Sequence, residues 1–193
     1  SSSDTGEATV TSSLTFTSAN WDTPQNVTVT GADDNIIDGS VTSNITVSIN
    51  DGSSDNAFDN VADQTVSVTT TDDDVAGFTI AETSGSTGVD ESGSTDIFTI
   101  VLDTQPSSDV VLSITSSDTG EATVESLIQF TSANWDTAQN VTVTGADDGI
   151  IDGTQTSTIT VTVVDAITDD DFDAVADQTV SVTTTDDDVA GFT

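Results

Sequence analysis

Acidic side chains follow two predicted strands, and their spacing is the feature of this sequence that could do chemistry. Residues 141–144 alternate apolar and polar side chains, as a strand with one buried face does. Carboxylates follow this strand in a Gly-rich turn and also close the next-but-one strand: Asp147, Asp148, Asp152, Asp186, Asp187 and Asp188. If the two strand ends lie side by side, six carboxylates meet at one pole of a β domain. Such a pole either binds a cation or is unstable.

The ligand chemistry of this pole favours calcium. Two carboxylates about 5 Å apart repel by ~3 kcal/mol at an effective dielectric of 20. Several such pairs rival the ~5–15 kcal/mol that stabilises a whole domain. Protonation relieves part of the repulsion, but near neutral pH a divalent ion both neutralises and crosslinks the strand ends. The chain has no His or Cys, and hard oxygen donors select calcium or magnesium over zinc or copper. We therefore predict bound Ca²⁺.

The composition excludes several functions. The 193 residues include 35 Asp plus Glu and no Lys, Arg, His, Cys, Met or Tyr, giving a formal charge of −35. Without basic groups the chain cannot neutralise the phosphates of nucleic acid or of an anionic membrane surface. It has no apolar run long enough to cross a bilayer and no signal peptide, so we expect an interior piece of a longer protein. No His, Lys, Tyr, Arg or Cys is present to assist a carboxylate pair or to orient a substrate, so we predict that the chain is not an enzyme.

The sequence contains an internal repeat. Residues 16–23 and 130–137 are identical, and the same 114-residue shift relates most of the chain without a gap. From the positions at which the repeats begin and end, we predict that the chain has three parts. Residues 1–74 are a partial repeat that lacks its first strands, 75–188 are a complete repeat, and 189–193 begin a further one.

The complete repeat has the pattern of an all-β domain. Seven short alternating segments are separated by turn signals, and helical periodicity is absent. We therefore predict tandem immunoglobulin-like Greek-key β-sandwich domains, with about seven strands per 114-residue repeat. Residues 83–88 are expected to form a Ser/Thr/Gly loop.

Two features outside the acidic pole have simple structural interpretations. Phe172 is expected to anchor the acidic connection 165–177 to the sandwich, and residues 169–171 are expected to form a solvated run of Asp. Trp21 and Trp135 are expected to cap the core of their repeats rather than to stack on a sugar.

The complete repeat resembles a Calx-beta domain, a calcium-binding sandwich. The family's Glu before the second strand is matched by Glu91, and its Asp after the third strand is matched by Asp118. Its acidic turn is matched by Asp147, Asp148 and Asp152, with Asp152 in place of the family's Glu. Its closing triplet of Asp is matched by residues 186–188. The resemblance implies the following calcium ligands: Glu91, Asp118, Asp147, Asp148, Asp152, Asp186, Asp187 and Asp188.

The same acidic set recurs in the first repeat. The predicted ligands there are Asp4, Asp33, Asp34, Asp38, Asp72, Asp73 and Asp74. Asp74 is followed by residues 75–77 and then by the first strand of the next repeat. We hypothesise that calcium near this junction turns a short hinge into a fixed joint, so that a long array becomes a rod.

The segment 20–23, Asn-Trp-Asp-Thr, resembles the extender repeats of very long secreted bacterial adhesins and surface proteins. We therefore expect a calcium-stiffened extender or filament module at the bacterial cell surface or outside the cell. Its expected partners are calcium ions and either neighbouring repeats of the same chain or identical subunits in a filament. The alternatives are a calcium-sensing regulatory domain and a carbohydrate-binding surface module.

Overall fold

The chain folds as an all-β protein in a computed structural model, which describes residues 1–191. It divides after Asp73 into two compact units. We call residues 1–73 the first unit and the part of the chain from Asp74 onward the second unit. The helical segments within the described residues are 3-10 turns of three residues each, and none of them could span a bilayer. The predicted further repeat, 189–193, lies partly outside the described residues.

The first unit contains two separate antiparallel strand pairs. Its strands are β1 (Ala8–Val10), β2 (Val29–Gly31), β3 (Val41–Val47) and β4 (Gln64–Thr70). β1 pairs with β2, and β3 pairs with β4. The side chains of Ala8, Ser43 and Ile45 are buried, whereas most apolar side chains of this unit are exposed to solvent.

The second unit has two packed sheets, consistent with a β-sandwich. Its strands are β5 (Phe78–Glu82), β6 (Thr87–Asp90), β7 (Thr95–Leu102), β8 (Val110–Ser116), β9 (Ala122–Val124), β10 (Leu127–Phe130), β11 (Gln139–Gly145), β12 (Gln155–Val163) and β13 (Gln178–Thr185). One sheet has the order β10-β8-β12-β13-β6 and the other has the order β5-β7-β11-β9.

The alternating residues form the core between these sheets. Phe98 and Ile100 in β7 lie beside Val141 and Val143 in β11 on the inner surface of one sheet, and all four are fully buried. Trp135 packs against this core, whereas Trp21 is exposed, so the prediction that Trp21 caps the core of its repeat was wrong. The periodicity of two in the sequence therefore predicted the buried face of these strands correctly.

The strand count differs from the seven that the sequence predicted. Residues 87 and 88, expected in a loop, begin β6, which runs parallel to β13, and the short β9 pairs with β11. Thr87 and Val89 point inward and are buried. The sequence did not predict β6 because Gly88 follows its first residue and obscures the alternation of buried and exposed side chains. Its position is fixed by pairing with a strand that lies almost 100 residues later.

The connection between β12 and β13 confirms one prediction and corrects another. Phe172 is 1% exposed and packs in the core, so it is the expected anchor. Asp170 and Asp171 are exposed, as predicted. Asp169, however, is 3% exposed. Its carboxylate accepts hydrogen bonds from the Ser107 hydroxyl at 2.8 Å and the Ser108 N–H at 2.7 Å, so the prediction of a solvated side chain was wrong there.

Candidate metal site

The acidic pole of the second unit forms where strands of both sheets end. Glu91 follows β6, the acidic turn 147–152 follows β11, and the triplet 186–188 follows β13. β6 and β11 approach closely at Gly145, where a Cβ atom would overlap the carbonyl oxygen of Asp90. The glycine therefore lets a strand of one sheet pass against a strand of the other. This approach brings Glu91 to the end of β11.

Glu91 is the central residue of the pole. Its side chain is 1% exposed, and neither carboxylate oxygen has a hydrogen-bond partner. Its backbone N–H donates to the carbonyl oxygen of Thr185 at 3.1 Å, which fixes it beside the end of β13. A buried carboxylate without a partner is strongly unfavourable in its ionised form, so this arrangement favours a proton or a bound cation at Glu91.

Three carboxylate groups that could hold a metal ion share Glu91. In each group, one oxygen from every member lies within 4.8 Å of the others. The three groups pair Glu91 with Asp148 and Asp188, with Asp147 and Asp187, and with Glu121 and Asp152. Six of the eight ligands predicted for this repeat therefore lie in these groups, namely Glu91 and five aspartates. The structure adds a seventh residue, Glu121.

Glu121 was not predicted. It is buried, and its Oε2 atom has no hydrogen-bond partner. Its backbone carbonyl accepts hydrogen bonds from the Ala146 N–H at 2.9 Å and the Thr184 hydroxyl at 3.3 Å, which ties it to the ends of both sheets. The available signal was its recurrence as Glu7 after the 114-residue shift. An isolated Glu in a turn does not otherwise stand out in so acidic a chain.

The electrostatics of the pole disfavour the ionised form of three of its carboxylates. Burial, together with the charges of Asp186 and Glu121, raises the pKa of Glu91 to about 7. Burial and nearby carboxylates also raise the pKa values of Glu121 and Asp188 above their ordinary values. At neutral pH these groups need either a proton or a cation.

Two predicted ligands lie outside the three groups and order nearby backbone. Asp186 accepts hydrogen bonds from the N–H groups of Gly153 at 2.8 Å and Asp188 at 2.7 Å. These bonds hold the pKa of Asp186 below its ordinary value, so it stays ionised and adds negative charge to the pole. Asp118 is exposed, and its Oδ1 atom accepts a hydrogen bond from the Gly120 N–H at 3.0 Å. A ligand role for these two residues stays a prediction.

The first unit repeats part of this arrangement. Asp72 accepts hydrogen bonds from the N–H groups of Asp38 at 3.1 Å and Gly39 at 2.8 Å, as Asp186 does from Gly153. Burial and then the charge of Asp38 raise the pKa of Glu7. Within residues 1–191, each carboxylate group that could hold a metal contains Glu91. The predicted ligands of the first repeat (Asp4, Asp33, Asp34, Asp38, Asp72, Asp73 and Asp74) therefore stay a prediction.

The donor set fits calcium. The pole offers oxygen donors, most of them carboxylates, and calcium takes six to eight oxygen ligands in flexible geometry. Seven carboxylates, including that of Glu91, make up the three groups, and four of their buried oxygen atoms lack hydrogen-bond partners: Oε1 and Oε2 of Glu91, Oε2 of Glu121 and Oδ2 of Asp188. A hard divalent cation would satisfy these oxygens.

Comparison with known proteins identifies no family, since no family model and no curated protein matches the chain. Similar solved structures include the apo form of the Calx CBD1 domain, at 14% identity and a TM-score of 0.43, covering 60% of this chain and 100% of that one. Domains 1–6 of the S-layer protein SbsC match at 19% identity and a TM-score of 0.43, covering 83% of this chain and 18% of that one.

A Bacteroides ovatus GH5 xyloglucanase matches at 16% identity and a TM-score of 0.38, covering 60% of this chain and 20% of that one. The chain thus spans less than two thirds of the xyloglucanase and SbsC structures. All three TM-scores are below 0.5, so these similarities carry no argument about function.

Proposed function

We propose that this chain is a non-enzymatic structural module of an extracellular protein, and that its acidic pole binds calcium. The observation that carries the proposal is Glu91, buried with two unpartnered oxygens at the centre of three carboxylate groups. The module would be a Calx-beta-like repeat with the Greek-key topology of an immunoglobulin-like sandwich. Its surroundings would be the bacterial cell surface or the extracellular space.

Calcium rather than protonation would neutralise the pole under these conditions. The pKa of Glu91 is raised to about 7, so near neutral pH a proton neutralises this group only in part. Extracellular calcium modules have dissociation constants of about 10⁻⁴–10⁻³ M, so they are occupied where calcium is millimolar. A divalent ion there also links segments that follow β6, β11 and β13.

The structural role proposed for the ion is stiffening of a repeat array. In the sequence, only residues 75–77 separate the acidic triplet 72–74 from β5. An ion that fixes the triplet would also limit the conformations of so short a connection. Neighbouring repeats, or identical subunits in a filament, would then be held at a constant orientation, as an extender of an adhesin or fibre requires.

Small-angle X-ray scattering of the chain, with millimolar calcium and with chelator, tests the stiffening. We expect calcium to give a single maximum dimension and to reduce the flexibility seen at high scattering angle. Replacing residues 72–74 together with Asn should abolish this response. The matched replacement of residues 186–188 should leave it in place, because that triplet does not lie between the units in sequence. Identical scattering with and without calcium would contradict the stiffening.

A further inference from the structure

The first unit exposes an apolar surface that the second unit buries. We call it the open face and define it by five exposed side chains: Phe16, Val27, Val29, Val47 and Val66. Their counterparts 114 residues later are Phe130, Val141, Val143, Val161 and Val180, each 2% exposed or less. Apolar surface of this kind marks an interaction site.

The strands of the open face are already arranged as they are in the complete sandwich. Ala8 pairs with Gly31 as Ala122 pairs with Gly145. The pairing of β3 with β4 likewise has the same register as the pairing of β12 with β13. The first unit is therefore preorganised to receive what covers these strands in the second unit.

The covering segment in the second unit is β5 to β8. There β6 pairs with β13 from Val182 to Thr185, β7 pairs with β11, and β8 pairs with β12. The equivalent edges belong to β4, β2 and β3 of the first unit. Strand edges with unpaired backbone groups accept an added strand.

A groove marks the place where β6 would lie. It has a volume of about 380 Å³ and is lined by residues of β2 and β4 and the segments after them, including Gly31, Val68 and Asp73. A Cβ atom on Gly31 would have Thr70 Cγ2 as its nearest neighbour, at 3.7 Å, whereas at Gly145 it would overlap Asp90 of β6. In the second unit, Gly145 is required because β6 lies against it. The first unit has the corresponding glycine, Gly31, beside the groove.

We propose that the open face is a docking surface for a strand-forming segment with the sequence pattern of residues 75–114, supplied by another repeat of the same polypeptide. Its Thr-Gly-Val-Asp portion lies in the groove parallel to β4, as β6 lies along β13. The segment also carries the counterpart of Glu91 to the acidic residues of the first unit. That last feature rests on the proposed calcium function, whereas the docking of the strands does not.

Hydrogen exchange on an extended chain tests the docking. Residues 75–114 are duplicated in front of Ser1, so that Ile114 joins Ser1 as it joins Thr115 in the second unit. Relative to the original chain, we expect amides of residues 68–71 to exchange about a hundredfold more slowly, because a strand pair buries them. Amides of β12 report folding of the second unit in the same sample. Unchanged exchange at residues 68–71 would overturn the proposal.

Gly31→Ala provides a matched control for the groove. In the original chain the added methyl group has room, so exchange in the first unit should not change. In the extended chain it would overlap the docked strand, so most of the gained protection should be lost. Equal effects of Gly31→Ala in both chains would contradict docking in the groove.

Trp21 gives an independent measurement when Trp135→Phe removes the other tryptophan. Trp21 is exposed in the original chain, whereas Trp135 packs against a core. Its emission should shift to shorter wavelength in the extended chain and become harder to quench. If the original chain instead forms dimers that protect residues 68–71 in a concentration-dependent manner, the occupant is a second copy and the proposal is wrong.

Calcium separates this proposal from the preceding one. Protection of residues 68–71 that is present in chelator and increases with calcium supports both. Protection that calcium does not change supports docking and contradicts completion of a calcium site in the first unit.

Discussion

Glu91 and Glu121 approach each other in the interior of the second unit, with one carboxylate oxygen of each within 4.8 Å of the other. Both side chains are buried, and no Lys, Arg or His occurs anywhere in the chain to compensate their charge. Backbone pairing fixes both positions, since Glu91 donates to Thr185 and the Glu121 carbonyl accepts from Ala146. The carboxylates are therefore held together by the fold, and their charges must be neutralised from outside the chain.

Glu91→Gln tests the central ligand. The substitution keeps the size of the side chain and removes its charge. We expect calcium affinity to fall about tenfold or more, because losing even an outer-shell partner of a metal has effects of this size. Without calcium, the thermal unfolding temperature should rise, since repulsion within the pole is relieved.

Glu125→Gln is the matched control for this substitution, because Glu125 is exposed and lies outside the three groups. Calorimetric titration and thermal unfolding, with and without calcium, provide both measurements. Equal calcium affinity in the Glu91→Gln variant and the original chain would argue against a ligand role.

The pH dependence of stability should reverse the usual acid behaviour. The pKa of Glu91 rises from 4.5 in the unfolded chain to about 7 in the folded one. Between these values the folded state binds more protons, so the free energy of unfolding decreases as pH rises. The raised pKa values of Glu121 and Asp188 act in the same direction.

Thermal unfolding of the second unit between pH 4.5 and 7.5, in buffer freed of calcium by a chelating resin, measures this effect. The decrease should be smaller in Glu91→Gln and should be suppressed by millimolar calcium. A pH-independent unfolding temperature in calcium-free buffer would contradict the raised pKa.

Phe172→Ala should destabilise the second unit by about 3–5 kcal/mol, because it removes a fully buried aromatic side chain. Its counterpart Phe58 is 55% exposed, so Phe58→Ala should change stability by no more than about 0.5 kcal/mol. Denaturant unfolding of the two variants compares the same residue of the repeat in two environments. Equal losses of stability in the two variants would show that Phe172 and Phe58 are packed alike, which would contradict the prediction.

Asp169→Asn should destabilise the second unit by about 1.5–3 kcal/mol, since the hydrogen bonds from Ser107 and Ser108 lose their charged acceptor. Although burial raises the pKa of Asp169, the hydrogen bonds from Ser108 and Ser107 hold it below its ordinary value. The stabilisation is therefore present above pH 4 and is lost as the pH falls below the ordinary pKa of 3.8. The exposed neighbour Asp171 offers the control Asp171→Asn, which should have little effect on denaturant unfolding.

Local periodicity was sufficient to predict the main strands of the second unit. Alternation placed Val141 and Val143 in the core, and the position of carboxylates directly after the strands indicated where they meet. The repeat also allowed the first unit to be interpreted as partial. Each of these inferences depends on residues that are close together in the sequence or related by the repeat.

The features that the sequence did not reveal depend on distant partners. β6 is a strand because it pairs with β13, and Asp169 is buried because Ser107 and Ser108 lie against it. Glu121 belongs to the pole because a turn before β9 is folded against the ends of both sheets. No local pattern distinguishes these residues from other Thr, Gly and acidic residues of the chain.

The position of a calcium ion in a crystal grown in millimolar calcium tests the account most directly. An anomalous difference map should show a peak 2.3–2.6 Å from a carboxylate oxygen of Glu91, the distance range of calcium ligands. Oxygen atoms from at least one of the three acidic groups should complete its coordination. A map with no anomalous peak near Glu91, and water in contact with its carboxylate, would contradict a calcium-binding pole.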